Sequence, residues 1–239
     1  MLGYPDSQSL ARTTIVRVES FPSGIRPSAG RSPESPRALA WVERLGALAA
    51  LVLLFPLLAG AAAVIAFLSG RSPLIAHARV GRYGKRIWVL KLRTMWPARP
   101  GARRIRGALL VERIDGARVP ASKKVPDARV TSGFAALCRR HSIDELPQLW
   151  HVLKGEMSLV GPRPMTAAEL QRWYGADAKQ ILLCKPGITG LWQVRGRNSL
   201  SYSQRRRLDL FLVRNWSPSL YFRILLSTVP RVISGENAY

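Results

Sequence analysis

The sequence predicts an α+β, helix-rich fold: a small membrane-associated domain with a β-hairpin, a proline-broken re-entrant membrane helix and C-terminal interfacial helices. Three observations carry that expectation. Leu45 through Ser69 reads LGALAALVLLFPLLAGAAAVIAFLS, without one charge. Two strand-like stretches, LIAHARV and RIWVLKLRTM, flank the turn residues GRYG. Helical patterns then recur near 132–141, 143–153, 166–175 and 201–214, ahead of a closing WSPSLYFRILLSTVPRVI.

The apolar run comes first. Roughly 25 helical residues extend about 38 Å, enough for a bilayer core of about 30 Å. Pro56 sits near its middle, deleting a backbone hydrogen bond and clashing with the preceding turn, so a bend is expected there. Arg37 and Arg44 precede the run, and Arg71, Arg79, Arg82, Lys85 and Arg86 follow it. Basic residues on both flanks disfavour a simple crossing, because cytoplasmic flanks collect Lys and Arg. A helix that enters, breaks at Pro56 and returns to the same face fits better. This divides the chain into a mostly disordered tail over 1–40, a re-entrant membrane helix over 41–70 and a compact domain over 71–239. The tail reads as disordered because stretches such as SFPSGIRPSAGRSPESPR lack apolar periodicity.

Within the domain, Gly81 and Gly84 supply the hairpin turn, and a short strand is expected around ALLVERI inside the irregular stretch 97–129. The final segment sets Tyr221, Phe222, Leu225, Leu226 and Val229 at helical spacings, with Arg223 and Arg231 among them. It suits a helix in the headgroup layer or one packed in the core.

Composition narrows the chemistry. The 37 Lys+Arg against 14 Asp+Glu give a net charge of +23 and imply an anionic partner: nucleic acid, a phospholipid surface or a phosphate-rich substrate. Cys138 and Cys184 form no disulfide framework, and the three histidines show no zinc spacing. A membrane-tethered nucleic-acid-binding protein is the alternative that this charge prompts, but a nucleic-acid partner is not expected, since no recognisable fold signature or aromatic-interleaved basic helix is present.

Against that excess of cations, DELPQLWHVLKGEMSLVGPRP begins with two adjacent acids, Asp144 and Glu145. Ser142 and Glu145 have the spacing of a capping box, which leaves a structural role for Glu145 open. Asp144 lies near a helix N-terminus, where amides and the dipole favour anions. Arg139 stands just upstream, and Pro162 and Pro164 restrain the loop that presents Arg163. Lys185–Gly190 (KPGITG) and Arg195–Asn198 (RGRN) read as a turn and a basic loop suited to further phosphate oxygens.

These motifs, with KLRTM before them and an apolar proline-containing helix in front, resemble the bacterial sugar transferase family over roughly residues 40–235. Its members are monotopic polyprenol-phosphate phosphoglycosyltransferases. The resemblance implies transfer of a sugar phosphate from a UDP-sugar to polyprenol (undecaprenyl) phosphate, with release of UMP, on the cytoplasmic face of the bacterial inner membrane. It implies Asp144 as a nucleophile forming a phosphosugar–enzyme intermediate, Glu145 completing the dyad, and Mg²⁺ held at both. It further implies substrate-binding roles for Lys91, Arg93, Arg139, Arg163, Lys185 and Arg197. An anionic phospholipid membrane is an expected partner, and a homo-oligomer is compatible. Three positions depart from the family pattern: Phe55 before Pro56, Ala78 before the arginine of the RVG turn, and Arg195 in RGRN.

Overall fold

The computed structural model describes residues 36–96, 111–114, 130, 132–196 and 199–235. Residues 1–35, the body of the predicted tail, lie outside the described residues, as does Arg197.

Helix α1 (Arg37–Ser69) begins four residues ahead of the expected boundary at 41 and continues through Pro56 without a break. The expected interruption is therefore absent. Pro56 is on the exposed side of the helix, where its ring crowds no packed element and its missing N–H removes a single bond. Gly70, in the left-handed conformation, ends α1 by donating its N–H to the Ala66 carbonyl at 2.9 Å.

At 1.5 Å per residue α1 is about 50 Å long, and it lies lengthwise along the rest of the fold. One stripe faces inward. Leu39 packs with the C-terminal helices, Ala47 and Leu51 with the segment around Leu149, and Ala61 and Ile65 with Leu92, Trp96 and Ala135. The opposite face leaves Val52, Leu53, Phe55 and Phe67 exposed, Phe67 by 88 %. Among the described residues α1 is the one helix long and apolar enough to cross a membrane.

The hairpin forms as expected. β1 (Leu74–Val80) pairs antiparallel with β2 (Arg86–Leu92), in register from Leu74 opposite Leu92 to Val80 opposite Arg86. Tyr83 takes φ 58° in the turn, and Gly81 donates its N–H to the Lys85 carbonyl. The short strand also appears: β3 (Val111–Ile114) runs parallel to β1, giving the order β2-β1-β3. α2 (Gly133–Arg140) follows, capped by the Ser132 side chain accepting from the Ala135 N–H.

A second sheet was not expected. β4 (Ser158–Val160) and β5 (Gly187–Thr189) pair in parallel, so KPGITG contributes a strand where a phosphate-binding turn was read. The Gly161 N–H donates to the Thr189 carbonyl, and the Gly187 N–H to the Pro162 carbonyl. Gly187 is required by this approach: a Cβ there would sit 2.0 Å from the Gly161 nitrogen. The strand thus fixes the backbone of the GPRP loop.

The remaining elements close the core. Ala167–Glu169 (α4) starts at a capping box between Thr166 and Glu169 and passes into a π-turn over Leu170–Tyr174. α5 (Ala178–Ile181) and α6 (Leu191–Arg195) flank β5. α7 (Tyr202–Arg214) opens with a Ser201–Gln204 capping box, and α8 (Pro218–Ser234) with Ser217 accepting from the Leu220 N–H. On α8, Tyr221 and Ile224 are buried while Phe222, Leu226, Val229 and Ile233 are exposed. Spacings of four, three and four residues put those exposed residues on one apolar stripe.

Candidate active site

The acid pair lies on a 3-10 turn, Ile143–Gln148, that leads directly into α3 (Leu149–Leu153). Ser142 adopts φ 56° and makes no side-chain cap, so the capping box open to Glu145 does not form. Its left-handed backbone turns the serine away from the amides it would have to cap. Glu145 Oε1 instead accepts from Lys91 Nζ at 2.6 Å and from Arg163 at 3.3 Å.

Asp144 is buried, and Lys91 Nζ stands 3.8 Å from its Oδ2. Burial raises its pKa above the usual carboxylate range. Glu145 pushes in the same direction, while Lys91, Arg139 and Arg163 oppose the rise. Burial disfavours charge on Arg163, yet Glu145, Glu169 and Asp144 outweigh it and hold the guanidinium firmly protonated. Two carboxylates and two cations therefore meet here from separate elements: Lys91 from β2, the acids from the 3-10 turn and Arg163 from the loop after β4.

The other predicted residues are placed differently. Arg139, on α2, is near enough for its charge to act on Asp144. Arg93 turns into the sheet, where its Nε donates to the Ser72 carbonyl at 2.7 Å and a terminal nitrogen to Glu112 at 2.5 Å. Lys185 precedes β5, its carbonyl against Gly161.

Several neighbours were missed. Arg163 and Arg205 both lie over the Trp192 ring, at 5.9 and 4.7 Å from its centroid. Arg205 also faces Tyr202, which stacks on Trp173 at 4.4 Å, and Arg172 covers Trp173. A ladder of arginine and aromatic side chains thus leads away from the acid pair. Tyr202, Arg205 and Asp209 are spaced i, i+3, i+7 on α7, a pattern legible in the sequence once that helix is drawn. Asp209 is fully buried and accepts from the Tyr174 hydroxyl at 2.7 Å. Burial pushes its carboxyl up to about 7, against the pull of the Tyr174 hydrogen bond, Arg163 and Arg205. His77 is driven down to about 4, chiefly by burial and then by Arg79, Lys91 and Arg93, so it is a neutral ring in a basic basin.

Among the described residues no group of three or more His, Cys, Asp or Glu gathers as a metal cage. Asp144 and Glu145 are nonetheless adjacent hard oxygen donors. Mg²⁺ is commonly held by one or two carboxylates together with substrate phosphates, and the pair fits that donor set.

The model of the family described as bacterial sugar transferase matches residues 37–235, nearly all of the described fold. The chain belongs to the bacterial sugar transferase family. It is 39 % identical over 201 residues to a UDP-galactose-lipid carrier transferase of Erwinia amylovora, a match covering 82 % of this chain and 40 % of that protein. It is 33 % identical over 233 residues to an exopolysaccharide production protein, ExoY, of Sinorhizobium fredii, covering 98 % and 99 %. An undecaprenyl-phosphate galactose phosphotransferase of Salmonella typhimurium is 40 % identical over 171 residues, covering 71 % and 35 %. The chain therefore spans about two fifths of the Erwinia protein and nearly the whole of ExoY.

Proposed function

We propose that this bacterial sugar transferase moves a sugar 1-phosphate from a UDP-sugar to undecaprenyl phosphate, releasing UMP, as a first membrane step in exopolysaccharide or related glycan assembly. The observation that carries the reading is the adjacent pair of the buried Asp144 and the half-buried Glu145, set against Lys91 and Arg163. The relatives' names supply the substrate class, with UDP-galactose the first donor to test.

The chemistry follows from these side chains. Arg163 presents a planar fork to phosphate oxygens, and Lys91 adds a point charge beside it. Asp144 attacks the sugar-bearing phosphorus, and the bond from that phosphorus to the bridging oxygen breaks, so UMP departs with the electron pair. The resulting acyl phosphate accepts attack from an oxygen of undecaprenyl phosphate, which restores the Asp144 carboxylate and leaves the lipid diphosphate sugar. Lys91 Nζ, bonded to Glu145 Oε1 and 3.8 Å from Asp144 Oδ2, holds the two acids together. Mg²⁺ at the two carboxylates would offset the repulsion between Asp144 and the diphosphate.

The membrane arrangement belongs to the same proposal. Because α1 lies along the body and both its ends pack against it, we take its exposed apolar face and the α8 stripe as the lipid-facing surface. Both ends of α1 then share the cytoplasmic side of the inner membrane, and the helix dips into the bilayer without crossing it.

Asp144→Asn should fold as wild type and lose turnover, because an amide cannot form the acyl phosphate. UMP release with UDP-galactose and undecaprenyl phosphate reads the activity. Intact-protein mass without the lipid acceptor reads the sugar-phosphate adduct, which the variant should lack. Turnover by Asp144→Asn free of deamidation would overturn the covalent route.

A further inference from the structure

A carboxylate is buried where the apolar helix meets the fold. Glu43, on α1, is 3 % exposed. One of its oxygens, Oε1, accepts from the Ser158 hydroxyl, from the Leu159 N–H at 2.8 Å and from the Tyr221 hydroxyl at 2.7 Å. Burying an acid is costly unless its oxygens are satisfied, and hydrogen bonds to a charged acceptor are the strong ones. Burial and the neighbouring Glu43 carboxylate raise Tyr221 well above the ordinary phenol range, so its hydroxyl stays a donor.

The partners of Glu43 matter more than their number. Ser158 opens β4, and β4 leads through Gly161 and Pro162 to Arg163. The next residue of α1, Arg44, lies over Gly155 so closely that a Cβ there would be 2.3 Å from its guanidinium. One turn on, Ala47 is completely buried with Leu149, Val152 and Met157. Leu149 opens α3 directly after the turn that carries Asp144 and Glu145. Two turns of α1 thus grip both ends of the α3–β4 connection, with the acid pair beyond one end and Arg163 beyond the other. Apolar packing alone would let β4 slide along α1. Directed bonds to a side chain and a backbone amide of β4 fix its height.

We infer that Glu43 is a positioning residue, through which the seating of α1 sets the place of Arg163 opposite the acid pair. The inference rests on Arg163 acting on donor phosphate. It makes the membrane helix a part of the active-site frame as well as an anchor.

Two measurements on the full chain in phospholipid nanodiscs test it. Hydrogen exchange needs no turnover: Glu43→Gln should speed exchange across 158–165 and leave α2, at 133–140, unchanged. In steady-state kinetics with UDP-galactose, Glu43→Gln should lower kcat about tenfold or more, with KM for the donor within about twofold. In an Arg163→Lys background the same change should cost less than about threefold, because the residue through which Glu43 acts is already impaired. Equal losses in both backgrounds, or unchanged exchange at 158–165, would overturn the positioning role. Should Glu43→Gln fail to fold, Tyr221→Phe removes one donor only and should show the same pattern at smaller size. If wild type turns over no UDP-sugar, the functional reading fails while the exchange data still decide the link between Glu43 and β4.

Discussion

At the scale of single residues, Asp209 makes a sharp test because burial moves its ionisation into an accessible pH range. Unfolded, an aspartate ionises near pH 4; folded, burial pushes this one up to about 7. Between those values the folded state binds more protons, so this group's contribution to stability falls as pH rises from about 4 to about 7 and stays lost above. Asp209→Asn stays neutral throughout and keeps an acceptor for the Tyr174 hydroxyl. Its stability should exceed that of wild type at pH 8 by an amount on the order of a few kcal/mol, read as a higher thermal midpoint, and the two should converge near pH 4. Parallel curves would mean that the carboxylate is ionised and paired inside the fold. Activity should fall in the same variant, since the charge beside Arg163 and Arg205 is lost. The acid pair, Arg139 and Arg163 were legible in sequence because two adjacent acids stand out in a chain of net charge +23. Asp209 was not, because a lone acid on a helix has the look of a solvated one until its neighbours are known. Arg93 shows the converse: it sits in a recognisable motif, yet Glu112, distant in sequence, takes its guanidinium.

Elements were readable in proportion to their length and periodicity. The hairpin β1–β2 announced itself through two seven-residue strands about a glycine-containing turn. β4 and β5, of three residues each, are too short to show a period of two. Their pairing depends on glycines whose need is visible only when two backbones meet. Pro56 misled for a different reason: the lost bond and the crowding of its own preceding turn predicted a break, but one such site does not end a helix of 33 residues. The β4–β5 contact gives a prediction of its own. Gly187→Ala would place a methyl 2.0 Å from the Gly161 nitrogen, a clash between backbones that no rotamer relieves. A loss of about 1–3 kcal/mol or more is expected for such overpacking, read as a lower thermal midpoint. Arg163 should move with the loop, so kcat should fall beyond what lost folding explains. A variant with wild-type midpoint and kcat would show that the two strands separate freely.

For the whole molecule the question is which side of the bilayer each end of α1 occupies. A straight crossing would have to pull α1 off the body. It would expose Ala47, Ala61 and Ile65, all buried against the catalytic fold, and leave the Glu43 carboxylate without its donors in hydrocarbon. It would also send Arg37 and Arg44 outward, against the positive-inside tendency. In the arrangement proposed above, α1 would turn its exposed Val52, Leu53 and Phe55 to lipid, and the arginine-rich remainder would gain from an anionic leaflet about 1 kcal/mol for each residue near the surface. We therefore predict that the two flanks of α1 share the cytoplasmic side. Ser28→Cys and Ser72→Cys, each made in a background lacking Cys138 and Cys184, can be treated with an impermeant thiol reagent in intact spheroplasts. Both should resist labelling until the membrane is opened, and both should then react. If position 28 alone reacts before lysis, α1 spans the bilayer, and the contacts that hold Glu43 to β4 and α8 cannot exist in the membrane-bound enzyme.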